Sequence, residues 1–301
     1  MQGYNARAVI ETLATAVATA KIRRIAYSRG LLMLIGSLAC VPAAEVAGPV
    51  LPGFLAAFGM AEFLVHAITA FLLYGLFYLH ARPALALLAA GYVFSGLVVV
   101  PYALFVPGIY PRLVEVPGNS QVSFWIWIVW HTGAPLYILG YALLERAALR
   151  IAPGVQALHR WCLWSLAATF AAVVLATLTT VGAADSLPRL IEGNQYDEFR
   201  LAPGGVAIIA LNLAALIVLA ATTRLRTALD LWLAVAVFAG LLDVFLSNLS
   251  GARFSVGWYA ARVSSLLSGA IVLIAFLHEI QRHYRELARR AATAPDPGRI
   301  S

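Results

Sequence analysis

Hydrophobic residues in this chain come in long stretches separated by short breaks that carry charge, Pro or Gly. Apolar runs fall near 30–47, 55–79, 83–104, 123–146, 160–182, 204–222, 227–247 and 258–278. Each approaches the roughly 20 residues needed to cross about 30 Å of hydrocarbon at about 1.5 Å per residue. The pattern predicts an all-α membrane protein, a bundle of about eight transmembrane helices. The run 30–47 holds Pro42 and Glu45 and is the weakest; if it dips into the bilayer and returns, the count is seven. Ahead of it, Ile10, Leu13, Val17, Ile22 and Ile25 fall near helical spacing, and Lys21, Arg23 and Arg24 follow the apolar part. This predicts an N-terminal amphipathic helix on an anionic membrane surface; a frayed tail is the alternative.

The last run does not stop at the membrane. From Tyr259 to Arg290 there is no Pro, and the only Gly, Gly269, lies in the apolar part. A continuous helix of that length measures about 48 Å, some 18 Å more than the hydrocarbon core. Leu277, Ile280, Tyr284, Leu287 and Ala291 alternate steps of three and four, as in a short coiled-coil seam. Glu279/His283 and Glu286/Arg290 stand at i,i+4. A basic anchor at the interface is the competing reading. The chain thus divides into an N-terminal segment (1–29), an integral membrane domain (30–278) and a helical extension with its tail (279–301).

Charge sets the orientation. With the N-terminus inside, sixteen of the 21 Lys and Arg residues fall on inner segments, and Arg112, Arg189, Arg200, Arg253 and Arg262 fall outside or near the outer face. The bias predicts a multi-pass membrane protein with both termini cytoplasmic. Two outer connections are substantial. One, near 106–122, is rich in Pro and Gly; the other, near 183–203, is mildly acidic. No internal repeat is visible, which weighs against an inverted-repeat transporter.

Composition agrees with lipid as the solvent. With 62% hydrophobic residues, 12% charged and a mean hydropathy of +0.85, a soluble domain would lack a charged skin. A net charge of +7 invites a nucleic-acid reading, but the basic residues flank the apolar runs, so lipid is the expected partner and nucleic acid is not. Cys40 and Cys162 lie in apolar runs and make no disulfide framework or zinc pattern. Ser37-Leu38-Ala39-Cys40 resembles a lipoprotein cleavage box, but Ser stands where Leu is wanted, so an uncleaved first span is expected. The single lysine, Lys21, precedes the first span, against a retinal Schiff base.

Ionisable groups inside spans need a partner, water or a function. Glu45, Glu62, His66, His131, Asp243 and Arg262 all fall in the outer half of the bilayer, predicting a polar cavity that opens outward. Glu62 and His66 share a helix face at i,i+4, and a structural pair is the alternative reading, with Asp243 as salt-bridge partner to Arg262. His131 follows Trp125, Trp127 and Trp130 and precedes Pro135. Pro135 cannot donate to the carbonyl four residues back, so the carbonyl of His131 is left free at a kink, either a binding feature or a packing hinge. The sequence requires no cofactor; His66 and His131 are the candidates if a metal or a haem is held, and a protonation site is the other use of these imidazoles.

Ala67-Ile68-Thr69-Ala70-Phe71-Leu72-Leu73-Tyr74-Gly75 is similar to the second span of the bacterial membrane-associated sensor family of the fourth type, and Gly91-Tyr92-Val93-Phe94-Ser95 with Val106-Pro107-Gly108 to its third span and the loop after it. Gln121, Trp125, Trp127, Trp130, His131, Gly133, Pro135 and Leu136 resemble its fourth span. Gly257-Trp258-Tyr259 with Arg262 resembles the start of its last span, and Glu279 with Tyr284 its exit. The resemblance runs over about 30–290 and implies a sensory module, ligand unknown, that precedes diguanylate cyclase or histidine kinase domains. No such output domain follows within these 301 residues, so the effector is expected on another chain or separated from this one.

The sensing residues expected from this reading are Glu62, His66, Trp127, His131, Asp243, Trp258, Tyr259 and Arg262, with Leu277, Ile280, Tyr284 and Leu287 as the relay. No catalytic residue is assigned. Homodimerisation is the expected state of such sensors, with Ser264, Ser265, Ser268 and Gly269 allowing close helix contact. Two other classes stand beside it: an intramembrane metal-dependent enzyme using Glu62, His66, His131 and Asp243, and a small-molecule transporter, for which polar groups in the inner half are scarce apart from Asp230.

Overall fold

The computed structural model describes residues 12–51, 53–106, 119–151, 154–196, 199 and 203–293. The loop centred on Pro107, Pro111 and Pro117 lies outside the described residues, as do Asn5 and Ile10 of the expected N-terminal helix. Eight helices are long and apolar enough to cross a membrane. They are α1 (Ala20–Cys40), which continues in a 3-10 turn, Val41–Ala43, then α2 (Phe54–His80), α3 (Pro83–Phe105) and α4 (Asn119–Ala147). After these come α5 (Val155–Gly182), α6 (Pro203–Thr223), α7 (Ala228–Ser250) and α8 (Val256–Thr293). No strand is formed among the described residues. The fold is an integral, multi-pass helical bundle.

The packing order follows from which helices lipid can reach. The apolar windows of α3 and α7 are each 72% buried, whereas those of α1 and α5 are each 11% buried. Helices α3 and α7 therefore form the centre. Around them α2, α4, α6 and α8 close the bundle, with α1 laid against α7 and α5 against α3. Leu31, Leu32, Ile35 and Leu38 on α1, and Trp164, Phe170, Leu175 and Leu178 on α5, remain more than half exposed. Such surfaces suit hydrocarbon and not water.

Local chemistry sets the turns. Ala81 ends α2 in a left-handed conformation, and Pro83 starts α3, where its missing N–H would have had no helical partner. Thr227 and Asp230 form a capping box at the start of α7. Gly133 on α4 faces Phe94 of α3 so closely that a Cβ there would lie 2.4 Å from the ring tip. The α3–α4 contact thus depends on a missing side chain, as is usual where helices pack without a hydrophobic drive between them.

The first described segment differs from expectation. Residues 12–19 form no amphipathic helix but an irregular strap, and α1 starts at Ala20, so Lys21, Arg23 and Arg24 belong to the first span rather than preceding it. The reason lies in α7, whose first N–H groups have no partner within their own helix. Ala228 donates to the carbonyl of Ala16 at 2.8 Å and Leu229 to that of Leu13 at 2.9 Å. Leu13, Ala14, Ala16 and Ala18 are buried, whereas Val17, one of the expected apolar face, is 70% exposed. The strap also touches three other elements. Thr12 Oγ1 pairs with His80 Nε2 at 2.8 Å, Arg82 donates to the carbonyl of Ala14 at 3.2 Å, and the Leu13 N–H donates to Glu279 Oε2 at 2.9 Å. Thr19 then caps α1. The run near 30–47 is accordingly part of a full span, Ala20–Ala43, and the alternative of seven spans falls away.

Replacing Gly133 with Ala should force Phe94 from its buried site and cost about 1–3 kcal/mol, as over-packing does. Thermal unfolding of the purified protein in detergent checks this, and the cost of the Gly133 change should be smaller when it is made in a Phe94→Ala background.

Candidate functional site

His131, on α4, lies one turn beyond Trp127, against whose ring its imidazole stacks at 4.3 Å between centroids. Its Nδ1 is 2.8 Å from the Trp127 carbonyl and its Nε2 is 2.9 Å from Asp243 Oδ2 on α7. Both ring nitrogens therefore face acceptors, a carbonyl and a carboxylate. A neutral imidazole carries one N–H. Satisfying both contacts takes one further proton, on the ring or on Asp243.

Pro135 does free the His131 carbonyl, and the structure shows what takes it. Asn212 of α6 donates one amide hydrogen there, at 3.1 Å, and the other to the carbonyl of Ile208, at 2.9 Å. The freed carbonyl thus ties α4 to α6. Asn212, buried in an otherwise apolar span, is absent from the expected site; its one sequence signal is an amide where lipid tolerates none.

Asp243 uses its other oxygen toward α8. Ser247 donates to Oδ1 at 3.2 Å, and the Arg262 guanidinium lies 3.6 Å from it while donating to Ser247 Oγ at 2.9 Å. Arg262 is 2% exposed. The rings of Phe58, Tyr102 and Trp258 stand 5.7, 5.9 and 5.5 Å from its guanidinium carbon, near enough for cation–π attraction. Ser247 is the second residue that the sequence reading missed, since a serine one turn from an aspartate carries no distinctive signal.

Glu62 and His66 form a separate pair on α2. Glu62 Oε2 lies 3.1 Å from His66 Nδ1, but that nitrogen is nearer the Glu62 main-chain carbonyl, at 2.8 Å. The Glu62 carboxyl group thus lies beside the imidazole without a hydrogen bond, although it is fully buried. Gly269 of α8 makes the space: a Cβ there would lie 2.7 Å from His66 Cε1 and 3.2 Å from Glu62 Oε2. Gly269 is two turns from Arg262, so one face of α8 meets both polar groups.

A cavity of about 100 Å³ lies between the two pairs, lined by His66, Tyr92, Ser95, His131, Asn212 and Asp243 among others. Six expected groups thus reduce to five within the bundle. Glu45 lies in the exposed connection after the 3-10 turn, because the span ends at Ala43. Tyr259 also stands apart from the network: its hydroxyl donates to the Pro49 carbonyl at 2.6 Å, and its ring meets Phe54. Trp127 and Trp258 pack directly on His131 and Arg262. The four donors weighed as one zinc set stand as two pairs, and no group of three or more His, Cys, Asp or Glu side chains suited to a metal ion occurs among the described residues.

Further along α8, Leu277, Ile280, Tyr284 and Leu287 are exposed, by 49, 37, 69 and 61%. Ser264, Ser265, Ser268 and Gly269, expected to serve contact between copies, pack inside the chain instead. The first two are buried, Ser268 donates to the Ala236 carbonyl on α7 at 2.7 Å, and Gly269 faces α2.

A helical membrane domain with a buried ionisable network, and no further folded unit among its described residues, defines the class. A family model described as the integral membrane domain of membrane-associated sensors, MASE4, matches residues 49–284, and the chain belongs to that family. It is a membrane sensor domain. No curated protein and no solved structure matches it.

Replacing Asp243 with Asn keeps the shape but leaves the Arg262 charge buried without its carboxylate, and should cost about 3–5 kcal/mol. Combined with Arg262→Met, the total loss should fall below the sum of the two single losses. Unfolding of the four proteins in detergent checks this, and strict additivity would show that the two residues do not interact.

Proposed function

We propose that this domain is the sensory module of a bacterial signalling system, seated in the inner membrane with both termini in the cytoplasm. One observation carries the reading. Helix α8 holds Arg262 in the buried network and then continues without a break to the exposed stripe of Leu277, Ile280, Tyr284 and Leu287. A small molecule in the cavity between His66 and His131, or a proton on the His131–Asp243 pair, favours one packing of α8 over another. A small shift or rotation then passes along the helix to a diguanylate cyclase or histidine kinase output. A second copy of the chain gives the exposed stripe its partner. The orientation is supported by Arg82, Arg146, Arg150, Arg224 and Arg226, which share the end of the bundle where the strap and the extension of α8 lie.

The chain joined beyond Thr293 to a diguanylate cyclase domain tests this. Insertions of one to four residues after Arg289 turn the output by about 100° each. Cyclic-di-GMP production should rise and fall with insertion length, and His131→Ala should change the basal level at equal membrane abundance. Output that ignores both changes would remove the reading.

A further inference from the structure

The network of Asp243, Ser247 and Arg262 separates two spaces. His131 and Asp243 line the cavity described above, whereas Ser247 and Arg262 line a second chamber of about 20 Å³, on the side of the α7–α8 turn. That is room for one small group, since about 10–15 Å³ already accommodates a water molecule.

The polar atoms around this chamber are mostly donors. Arg262 directs one terminal nitrogen to Ser247 and Asp243, and its Nε and other terminal nitrogen have no hydrogen-bond partner. Trp127, 5% exposed, also lines the chamber, and its indole Nε1 has no partner. Neither group can accept a hydrogen bond. Arg253 of the α7–α8 turn, 6% exposed, brings a second guanidinium to the same walls. Among the described residues, the buried side-chain acceptor there without a partner is Asn248 Oδ1, whose orientation follows from its amide nitrogen donating to the Val244 carbonyl at 2.9 Å. The side chains of Tyr102, Phe124 and Trp258 complete the walls.

From these features we propose that the chamber binds a small oxyanion of the size of formate, nitrate or hydrogencarbonate. Its oxygens accept from Arg262 and Trp127. Asn248 favours an anion that keeps an O–H, so hydrogencarbonate binds more tightly than nitrate. An outer groove of about 400 Å³ adjoins the chamber: Arg253 lines both, and Ser250 of the groove is hydrogen-bonded to Tyr196, which lines the chamber. Burial pushes the Tyr196 phenol up to about 12, so it stays neutral and does not repel an anion. That this anion is an input to signalling rests on the function proposed above; its binding does not.

The purified protein in detergent, titrated with sodium hydrogencarbonate, formate or nitrate at constant sodium set with gluconate, reads the site through its unfolding temperature. A ligand held only by the folded state raises that temperature in a saturable way. Hydrogencarbonate should act at the lowest concentration. Trp127→Phe keeps the ring, loses the N–H and should weaken binding about tenfold, as loss of a hydrogen bond to a charge does. Asn248→Asp places a carboxylate in the wall; it should raise the unfolding temperature in anion-free buffer and abolish the response. No saturable shift with any of the three anions, or the wild-type midpoint in both variants, would overturn the proposal. Saturable binding that leaves the cyclase fusion's output unchanged would keep the site and remove its part in sensing.

Discussion

The interaction on which the rest of the bundle depends is the pairing of Arg262 with Asp243. A guanidinium so far from water is tolerable only if its charge is met by an opposite charge and its N–H groups by acceptors or ring faces. Asp243 meets the first need, and Ser247 with three aromatic rings meets much of the second. The carboxylate in turn fixes His131, and His131 fixes Trp127. One buried charge thereby sets the relative placement of α4, α7 and α8. Groups that hold a core together in this way also respond when one of them changes its protonation or its partner.

Two features let helices with so few polar contacts keep their register. Small residues open seams, as Gly133 does for Phe94 and Gly269 for His66. Broken backbone bonds are mended across helices, as Asn212 does for the carbonyl freed by Pro135. The second feature joins α4 to α6 at the residue whose imidazole reaches Asp243 on α7.

Much of this was legible in the chain itself. Apolar length gave the spans, and the rule that lipid rejects charge singled out Glu62, His66, His131, Asp243 and Arg262. Short-range geometry gave the Glu62–His66 pairing and the carbonyl that Pro135 cannot bond. Contacts between helices were not legible. Asn212 and Ser247 have partners on other elements, and no spacing in the sequence records them. The strap was misread for a related reason. Leu13 and Val17 do stand at helical spacing, but the unsatisfied N–H groups at the start of α7 compete for the same backbone, and that demand is made more than 200 residues away. Glu45 was placed one turn too deep because α1 begins, and so ends, earlier than its apolar run suggests.

The hydrogen bond from Leu13 to Glu279 has a mechanical consequence. It holds α8 about 25 Å from Arg262 and about 12 Å from Leu287, at 1.5 Å per residue. If that point acts as a fulcrum, tilting α8 moves the far end by only about half the displacement at Arg262, and in the opposite direction. Twist about the helix axis and sliding along it suffer no such loss. A pinned lever of these proportions filters out rocking and transmits torque and piston motion.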